Sequence, residues 1–206
     1  TIVDGDVVDP SNRNRQLPAL ATNHGVSKAS IMEERLKAIN PELEIIVIKE
    51  FVNPTMVENL VALKPDYIID AIDSITPKLT FISQAFHSKI PIVSSMGAGG
   101  KVDSMMIKYA DISKTHICPF AYYIRKRLRH EGIYGGVMTV FSEEKPIRES
   151  IKVTEGLNYK RSFYGTISYI PALFGLNMAS WVVRDACGMF EPTPLCIPKK
   201  EKRRGE

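Results

Sequence analysis

The sequence predicts an α/β fold: a Rossmann-like, mostly parallel sheet with helices on both faces, followed by a C-terminal α+β extension. Short apolar runs rich in β-branched residues alternate with amphipathic stretches of helical periodicity over roughly the first hundred residues. This βαβαβαβ order is typical of a parallel sheet whose strands are buried on both sides. With 206 residues, 44% of them hydrophobic, the chain can build one substantial core but not two large domains.

The first half of the chain supplies the alternating elements. One helix is expected to begin with Asn53 as its N-cap and Pro54 at its first position, two residues that favour a helix start. The helix before it stops at Asn40 and Pro41, because the residue before a proline disfavours helical geometry. We expect strands within residues 1–8, 43–50, 67–73 and 90–96, and helices within residues 26–39, 53–64 and 77–89.

Beyond residue 104 this rhythm changes. A basic helix is expected at residues 118–132, ending at Gly132, because glycine adopts the left-handed conformation common at helix C-termini. The change divides the chain into a partial α/β core at residues 1–104 and an extension at residues 105–206 that completes the same domain. Strands are expected within residues 105–113 and 135–144, a looser stretch within 144–162, and a solvated basic tail at 199–206.

Residues 163–183 contain no charged side chain over a length that could span a bilayer. Pro171, Asn177, two glycines and several hydroxyl groups make the segment weakly apolar for a spanning helix. We therefore expect a buried strand, turn and helix that closes the core or forms a dimer interface. A membrane-facing helix is the alternative interpretation.

The composition limits the possible functions. The formal net charge of +4, from 27 basic and 23 acidic residues, permits an anionic partner but does not by itself indicate nucleic-acid binding. Cys118, Cys187 and Cys196 form no CxxC pair, so neither a disulfide framework nor a four-cysteine zinc site is indicated. We expect all three to be structural. A cytoplasmic setting fits this cysteine usage, with peripheral membrane association as the alternative.

Polar side chains follow the predicted strands, at the sheet edge where ligands of α/β proteins bind. Asp4 lies in a loop that also carries Asn12 and Arg15; an acid there can accept from ribose hydroxyls, and a guanidinium can bind phosphate. Lys28 starts the next helix and offers a point charge for a polyphosphate. Asp73 closes the third predicted strand, where a carboxylate can hold Mg²⁺ against phosphate oxygens. The pattern predicts a ligand with both a sugar and phosphates.

These residues also have structural interpretations. A lone aspartate after a strand is more often a helix cap or turn former than a ligand. The loop at residues 3–16, with three aspartates, two arginines and several amides, is harder to explain as a plain turn. A salt-linked surface loop stays open as the alternative.

Two other motifs have mainly structural interpretations. The glycines at residues 97–100 do not form a dinucleotide fingerprint, because Val102 stands where its last glycine would be, so a tight turn or close backbone approach is expected. The basic helix could contact an RNA backbone, but a solvated helix face is the favoured interpretation. Its cations are Arg125, Lys126, Arg127 and Arg129, next to Tyr122 and Tyr123.

The segments DGDVVDPSNRNRQ, HGVSK, INPE, DYIIDAIDSITPK and IPIVSSMGAGG occur in this order over the first hundred residues. In order and spacing they resemble the ThiF-like adenylating superfamily, whose members activate carboxylates with ATP and include enzymes that serve ubiquitin-like and sulfur-carrier proteins. Downstream, GAGGKVD, IKYADISKTHICPFAYYIRKRLR, GVMTVFSEE and GTISYIPALFG resemble the tRNA threonylcarbamoyladenosine dehydratase branch.

The resemblance implies ATP-dependent cyclisation of the threonylcarbamoyl modification at the adenosine next to the anticodon of tRNA. An adenylated carboxylate would lose AMP as the ring closes, with net loss of water. Carried over by position, Asp4 would bind the ribose, and Asn12, Arg15 and Lys28 would bind phosphates. Asp73 would hold Mg²⁺, and the catalytic residues would be Arg15, Lys28 and Asp73. Ser11, Gln16 and Lys78 also match pattern positions, without an assigned role.

The chain departs from the family pattern in two places. Family members have a strand, a glycine-rich loop and a helix before the first strand seen here, so we expect a partial chain that binds ATP weakly by itself. Thr139 stands where some relatives carry a cysteine, which favours a direct cyclase over a thioester-forming enzyme. The family also implies a homodimer, and a sulfur-transfer protein partner stays open.

Two other functions compete with the cyclase. An adenylyltransferase for a ubiquitin-like or sulfur-carrier protein would need a partner with a Gly-Gly tail, and often has a zinc-binding CxxC pair, which this chain lacks. A non-catalytic binding scaffold would be expected to have lost the matched residues at the site, whereas all five are present.

Overall fold

The computed structural model describes residues 1–153 and 162–189. The strands in this part of the chain are β1 (Ile2–Val3), β2 (Val47–Ile48), β3 (Ile68–Asp70), β4 (Ile92–Ser95), β5 (Ile107–Asp111), β6 (Met138–Ser142), β7 (Ile151–Val153) and β8 (Ser162–Tyr164). The helices are α1 (Lys28–Ile39), α2 (Pro54–Ala62), α3 (Ile75–His87), α4 (Pro119–His130) and α5 (Tyr169–Ala186). The predicted tail at 199–206 and Cys196 lie outside the described residues.

The strands form one four-stranded sheet and two strand pairs. The sheet has the order β3-β4-β6-β5, in which β3, β4 and β6 are parallel and β5 runs antiparallel at the edge. β1 and β2 pair in parallel, and β7 and β8 form an antiparallel pair. The predicted α/β fold with a mostly parallel sheet is therefore confirmed. Because β6 pairs directly with β4, the sheet continues across residue 104; the domain boundary there stays a prediction.

Local sequence signals set several helix ends. Asn53 caps α2 by accepting a hydrogen bond from the Met56 backbone N–H at 2.9 Å, and Pro54 is the first helical residue, as predicted. Gly132 follows α4 with a φ of +81°, a conformation that glycine adopts without steric cost. These ends follow from neighbours in the chain and need no tertiary contact.

Helices cover both faces of the four-stranded sheet. On one face, α2, α3 and α4 bury a cluster that includes Val57, Ile82 and Ile124. On the other face, α5 buries Ile170, Phe174, Met178 and Trp181 against Val93 and Val140 of the sheet. The prediction that residues 163–183 form a strand, a turn and a helix that closes the core is confirmed, while the burial expected for the strand stays a prediction. Among residues 1–153 and 162–189, none of the helices combines the length and the hydropathy that crossing a bilayer requires.

The glycine run at residues 97–100 makes a close backbone approach, as predicted. The Gly100 N–H donates to the Gly165 carbonyl at 2.8 Å, and the Gly100 carbonyl accepts from the Ile147 N–H at 2.7 Å. A side chain at Gly99 or Gly100 would meet Tyr164 at 2.6 Å and 2.9 Å, respectively. Gly100 also has a φ of +69°. The glycines therefore let the segment around β7 and β8 contact the loop after β4.

Several predicted strands are shorter in the structure, including β2 at Val47–Ile48, and two of them end early for a local reason. The first strand was expected over residues 1–8, but β1 ends at Val3 because the Asp4 carboxylate accepts from the Asp6 N–H at 2.8 Å and turns the chain. The third strand was expected to end at Asp73, but β3 ends at Asp70, whose carboxylate accepts from the Ile72 N–H at 2.9 Å. β7, in the stretch expected to be loose, was not predicted.

The packing of α5 generates a prediction about stability. Replacing Phe174, which is buried against the sheet, should lower the free energy of unfolding in Phe174→Ala by about 3–5 kcal/mol, because it removes apolar contact and leaves a cavity. Leu63→Ala, at an exposed position just after α2, should change it by less than about 0.5 kcal/mol. Urea unfolding of both variants measures the difference, and equal values would contradict the packing described for α5.

Candidate functional site

The candidate site lies where β1 and β3 end and α1 begins. Asp4 directly follows β1, and its N–H donates to the Ile48 carbonyl of β2 at 3.1 Å. Lys28 is the first residue of α1, whose N-cap Ser27 accepts from the Ser30 N–H. Asp73 follows β3 by three residues. The carboxyl ends of these strands therefore carry the predicted residues, as expected for an α/β ligand site.

The loop between Asp4 and α1 is ordered by its own polar side chains. Asp9 caps a single 3₁₀ turn, because its carboxylate accepts from the backbone N–H and the hydroxyl of Ser11 at 2.8 Å and 2.5 Å. These bonds lower the pKa of Asp9, the Ser11 hydroxyl most strongly. The Asn12 side-chain oxygen accepts from the Asp9 N–H at 3.1 Å and completes a capping box. Part of the polar character of the loop is therefore structural.

Lys28 is held by Asp6. Its side chain is only 9% exposed, and its Nζ lies 2.9 Å from Asp6 Oδ2, while its backbone N–H donates to the Asp6 carbonyl at 3.1 Å. This ion pair matches the alternative interpretation of a salt-linked loop. It also holds a lysine ammonium at the sheet edge, where an incoming anion could bind it.

Arg15 is directed along its own loop. Its Nη1 donates to the Ser11 carbonyl at 3.0 Å and to Asn14 Oδ1 at 2.9 Å. The Asn14 side-chain amide in turn donates to the Thr166 carbonyl at 2.9 Å, which joins this loop to the segment between β8 and α5. The guanidinium keeps further N–H donors, because these two bonds use only one of its nitrogens.

The electrostatics of Asp4 link three of the predicted residues. Burial raises the pKa of Asp4, while the hydrogen bond from the Asp6 N–H and the charge of Lys28 oppose that shift. The carboxylates of Asp6 and Asp73 raise the pKa of Asp4 further. Lys28 and Asp73 therefore both lie close enough to act on Asp4.

The structure limits the kind of metal site. Within residues 1–153 and 162–189, no group of three or more His, Cys, Asp or Glu side chains could hold a metal ion. Asp73 is exposed, and the Ser74 hydroxyl donates to its Oδ1 at 3.5 Å. Mg²⁺ at nucleotide sites takes one or two carboxylates together with phosphate oxygens rather than a cage of protein ligands. The oxygen donor at Asp73 suits such an ion.

Beneath the site lies a buried network for which sequence analysis assigned no role. Lys78 Nζ lies 2.6 Å from Asp70 Oδ2, and both side chains are fully buried. The ammonium also donates to Ser94 Oγ and to the Ser95 carbonyl, each at 3.0 Å, and the Ser94 hydroxyl donates to Asp70 Oδ2 at 2.6 Å. Burial lowers the pKa of Lys78, and the carboxylate of Asp70 opposes that shift.

This network joins three elements at the site. Asp70 ends β3, Lys78 lies on α3, and Ser94 lies on β4. The second oxygen of Asp70 accepts from the Ile72 N–H and so shapes the turn that leads to Asp73. The sequence did carry a signal for this network. Lys78 stands among the apolar residues of a predicted helix, and a buried lysine needs a polar partner. The partner itself was not readable from the sequence.

Of the three cysteines, two lie in described residues, and both are free. Cys118, before α4, is buried, and its sulfur would lie 3.7 Å from a Cβ at Gly97; Cys187, after α5, is exposed. The burial of Cys118 agrees with the structural role expected for it.

The fold and the site define a class: α/β proteins that bind nucleotides at the carboxyl ends of parallel strands, with acids, amides and cations in the loops. Residues 1–197 match the model of the ThiF family. The chain belongs to the ThiF family.

Two bacterial relatives are tRNA threonylcarbamoyladenosine dehydratases. The chain is 39% identical to the tRNA threonylcarbamoyladenosine dehydratase of Bacillus subtilis over 191 residues, covering 89% of this chain and 75% of the relative. It is also 39% identical to the dehydratase of Escherichia coli, covering 84% of this chain and 62% of that protein. The crystal structure of the Escherichia coli dehydratase in complex with ATP matches the chain with a TM-score of 0.81 and 34% identity, covering 91% of this chain and 74% of that one.

The buried network generates a second prediction. Lys78→Met should lower the free energy of unfolding by about 3–5 kcal/mol, because it leaves the buried Asp70 carboxylate without its cation. The double variant Lys78→Met/Asp70→Asn should be more stable than Lys78→Met alone, since it removes the unpaired charge. Urea unfolding measures both, with Lys49→Met at an exposed position as the control.

A cost below about 1 kcal/mol for Lys78→Met, or a double variant less stable than the single one, would contradict this account of the ion pair.

Proposed function

We propose that the protein catalyses the ATP-dependent cyclisation of threonylcarbamoyladenosine in tRNA. The observation that carries the proposal is that Lys28 and Asp73 lie near enough to Asp4 to act on it, where β1 and β3 end, beside the polar loop that carries Arg15. The same fold, in a relative 34% identical, has been crystallised with ATP. The dehydratases of Bacillus subtilis and Escherichia coli support the choice of substrate.

Each side chain then has a role set by its chemistry. Asp4, an acceptor of hydrogen bonds, binds the ribose hydroxyls. The cations Lys28 and Arg15 bind the phosphates and stabilise the negative charge that builds on the α-phosphate oxygens. Asn12 keeps a side-chain amide that can donate to a phosphate oxygen while its oxygen caps the loop.

Asp73 is proposed to hold Mg²⁺ together with phosphate oxygens. Its carboxylate is exposed, follows the turn that Asp70 shapes, and acts on the pKa of Asp4. The ion would neutralise phosphate charge and make pyrophosphate a better leaving group. Lys28, Arg15 and Asp73 therefore form the proposed catalytic set.

The proposed reaction proceeds in two steps. The carboxylate of the threonylcarbamoyl group attacks the α-phosphorus of ATP, forming a mixed anhydride with AMP and releasing pyrophosphate. A nucleophilic atom of the same modification then attacks the activated carbonyl, loses its proton and displaces AMP. The cyclic nucleoside that forms has lost one molecule of water relative to the starting nucleoside. Lys28 and Arg15 act on the first step, in which negative charge builds on the α-phosphate oxygens.

We also propose a homodimer. The described part of α5 leaves large apolar side chains exposed, with Leu176 at 65% and Val183 at 62% exposure. Such side chains would suit a contact between two copies.

A cytoplasmic location is part of the same proposal, because the tRNA substrate is found there.

Arg15→Ala tests the catalytic assignment. The variant should lower kcat/KM for cyclisation by about 100-fold, because it removes a cation from the developing phosphate charge. Arg13→Ala, two residues away in the same loop, is the matched control and should remain close to the wild type. The protein is incubated with ATP, Mg²⁺ and tRNA bearing threonylcarbamoyladenosine, and the nucleoside is analysed by mass spectrometry for the loss of one water.

An unchanged nucleoside with the wild-type protein would overturn the cyclase. Pyrophosphate exchange that appears only when a Gly-Gly-tailed carrier protein is added would instead assign the chain to carrier-protein activation. Equal losses in Arg15→Ala and Arg13→Ala would remove the specific role given to Arg15.

The raised pKa of Asp4 generates a prediction about pH. An ordinary aspartate titrates near pH 3.9, whereas burial makes Asp4 take up a proton at higher pH. As pH falls through that raised pKa, the protonated carboxyl loses acceptor capacity, so ATP affinity should decline. The neutral Asp4→Asn variant should bind ATP more weakly at pH 7 and lack this transition.

The measurement is the ratio of wild-type to Asp4→Asn affinities for ATP between about pH 7 and 4. The ratio should shrink as the pH falls. A constant ratio over this range would show that the charge of Asp4 does not contribute to ATP binding.

A further inference from the structure

Helix α4 carries an unusual concentration of positive charge. Its twelve residues, Pro119–His130, include no aspartate or glutamate. Four of them are cations: Arg125, Lys126, Arg127 and Arg129. Three basic residues in its last turn favour the helix electrostatically, because cations stabilise the negative end of the helix dipole. The interaction with the helix dipole does not by itself account for four cations and no acidic residue in one helix.

The two sides of α4 differ sharply. Ala121, Ile124 and Leu128 are fully buried and lie in the core cluster shared with α3. The opposite side is exposed and mixes cations with aromatic rings. Its exposed residues are Tyr122, Tyr123, Lys126, Arg127, Arg129 and His130.

The cations of α4 are not neutralised within the described structure. In residues 1–153 and 162–189, no ion pair joins any of the four to a carboxylate. Arg125 is anchored differently, by donating to the carbonyl oxygen of Thr115 at 2.7 Å and to its hydroxyl. Its guanidinium lies 5.9 Å from the centre of the Tyr122 ring. The face therefore offers positive charge to an external anion.

Two exposed aromatic rings lie beside these cations. Tyr122 and Tyr123 are 50% and 56% exposed, and their ring centres are 5.6 Å apart at an angle of 70°. Large aromatic side chains gain little by facing water. Beside unpaired cations, they are suited to stacking against bases while the cations bind phosphates.

α4 starts next to the candidate site. Phe120 lies against Gly97, just after β4, so that an added Cβ at Gly97 would be 3.3 Å from the Phe120 Cβ. The Phe120 ring centre is also 5.9 Å from Lys78 Nζ, in the network beneath Asp73. From this end, twelve helical residues extend for about 18 Å. α4 leads back to the start of β6, where the Gly136 N–H donates to Asp111 Oδ2, so the cations in its second half lie within about 18 Å of the site, toward the other edge of the sheet.

We propose that the exposed face of α4 binds the tRNA substrate, with Lys126, Arg127 and Arg129 contacting phosphates and the two tyrosines stacking on unpaired bases. This inference rests on the proposed function and deepens it. The modified adenosine lies beside the anticodon, in a single-stranded loop whose bases are free to stack. A polyanion with exposed bases complements both the charge and the aromatic rings of this face.

The test is binding of tRNA bearing threonylcarbamoyladenosine to two triple variants that each lose three positive charges. The first variant alters the α4 face and is Lys126→Gln/Arg127→Gln/Arg129→Gln. The matched control alters exposed cations on α1 and directly after β2, and is Arg35→Gln/Lys37→Gln/Lys49→Gln. Affinity is measured at several salt concentrations. The α4 variant should bind about tenfold or more weakly near 0.15 M salt, with its salt slope reduced by about 2, because up to three phosphate contacts are lost. The control should remain within about twofold.

The tyrosines are tested separately. Tyr122→Ala/Tyr123→Ala should weaken tRNA binding by about tenfold without changing the salt slope, because stacking releases no counterions. Tyr122→Phe/Tyr123→Phe keeps both rings and should bind like the wild type. If Tyr122→Phe/Tyr123→Phe also loses tRNA binding, the two rings do not bind by stacking on bases.

Kinetics separates this inference from the proposed function. If the wild type cyclises the nucleoside, the α4 triple variant should raise KM for tRNA and keep kcat at saturating tRNA. A KM equal to that of the control would overturn the α4 inference alone. A wild type that neither binds nor modifies the tRNA would overturn both proposals. Light scattering completes the test, because a smaller mass for the α4 variant without RNA would make this face an interface between copies and overturn tRNA binding there.

Discussion

The buried contact between Lys78 and Asp70 is the interaction on which the candidate site depends. It lies where β3, β4 and α3 meet, and Ser94 completes the hydrogen bonds of the carboxylate. A buried charge pair is stable only when such partners satisfy it, so these three elements have little freedom to shift. The same carboxylate shapes the turn before Asp73, and the ring of Phe120 from α4 lies over the ammonium. The site and the cationic helix therefore share one rigid support.

The polar loop after β1 combines structure and chemistry in the same residues. Asp6 holds the ammonium of Lys28, and Asp9 and Asn12 cap the turn that leads to Arg15. Side chains held by such bonds lose less conformational freedom when a ligand binds, which is how preorganised sites gain affinity. The loop also reaches Thr166 through Asn14, so that the segment before α5 helps to fix it. Structural and functional interpretations of this loop are thus compatible.

Elements whose signal is local were predicted correctly. Asn53 and Gly132 set helix ends through chain neighbours, and the uncharged segment at 163–183 was correctly expected to close the core. The predictions failed where a polar side chain turned the chain early, as Asp70 does at the end of β3. β7 was not predicted because its three residues lie in a polar stretch without a longer apolar run, and its pairing with β8 depends on a distant segment.

The sequence by itself determined the order and type of the main elements, because hydrophobic period and caps depend on nearby residues. Only the tertiary structure decided which polar groups meet. Lys28 contacts Asp6 across 22 positions, and Asn14 contacts the Thr166 carbonyl across 152. Such pairs depend on how helices and strands pack, and each polar residue has many possible partners along the chain. Packing excludes nearly all of them, because a buried or half-buried polar group must find a partner within hydrogen-bond distance.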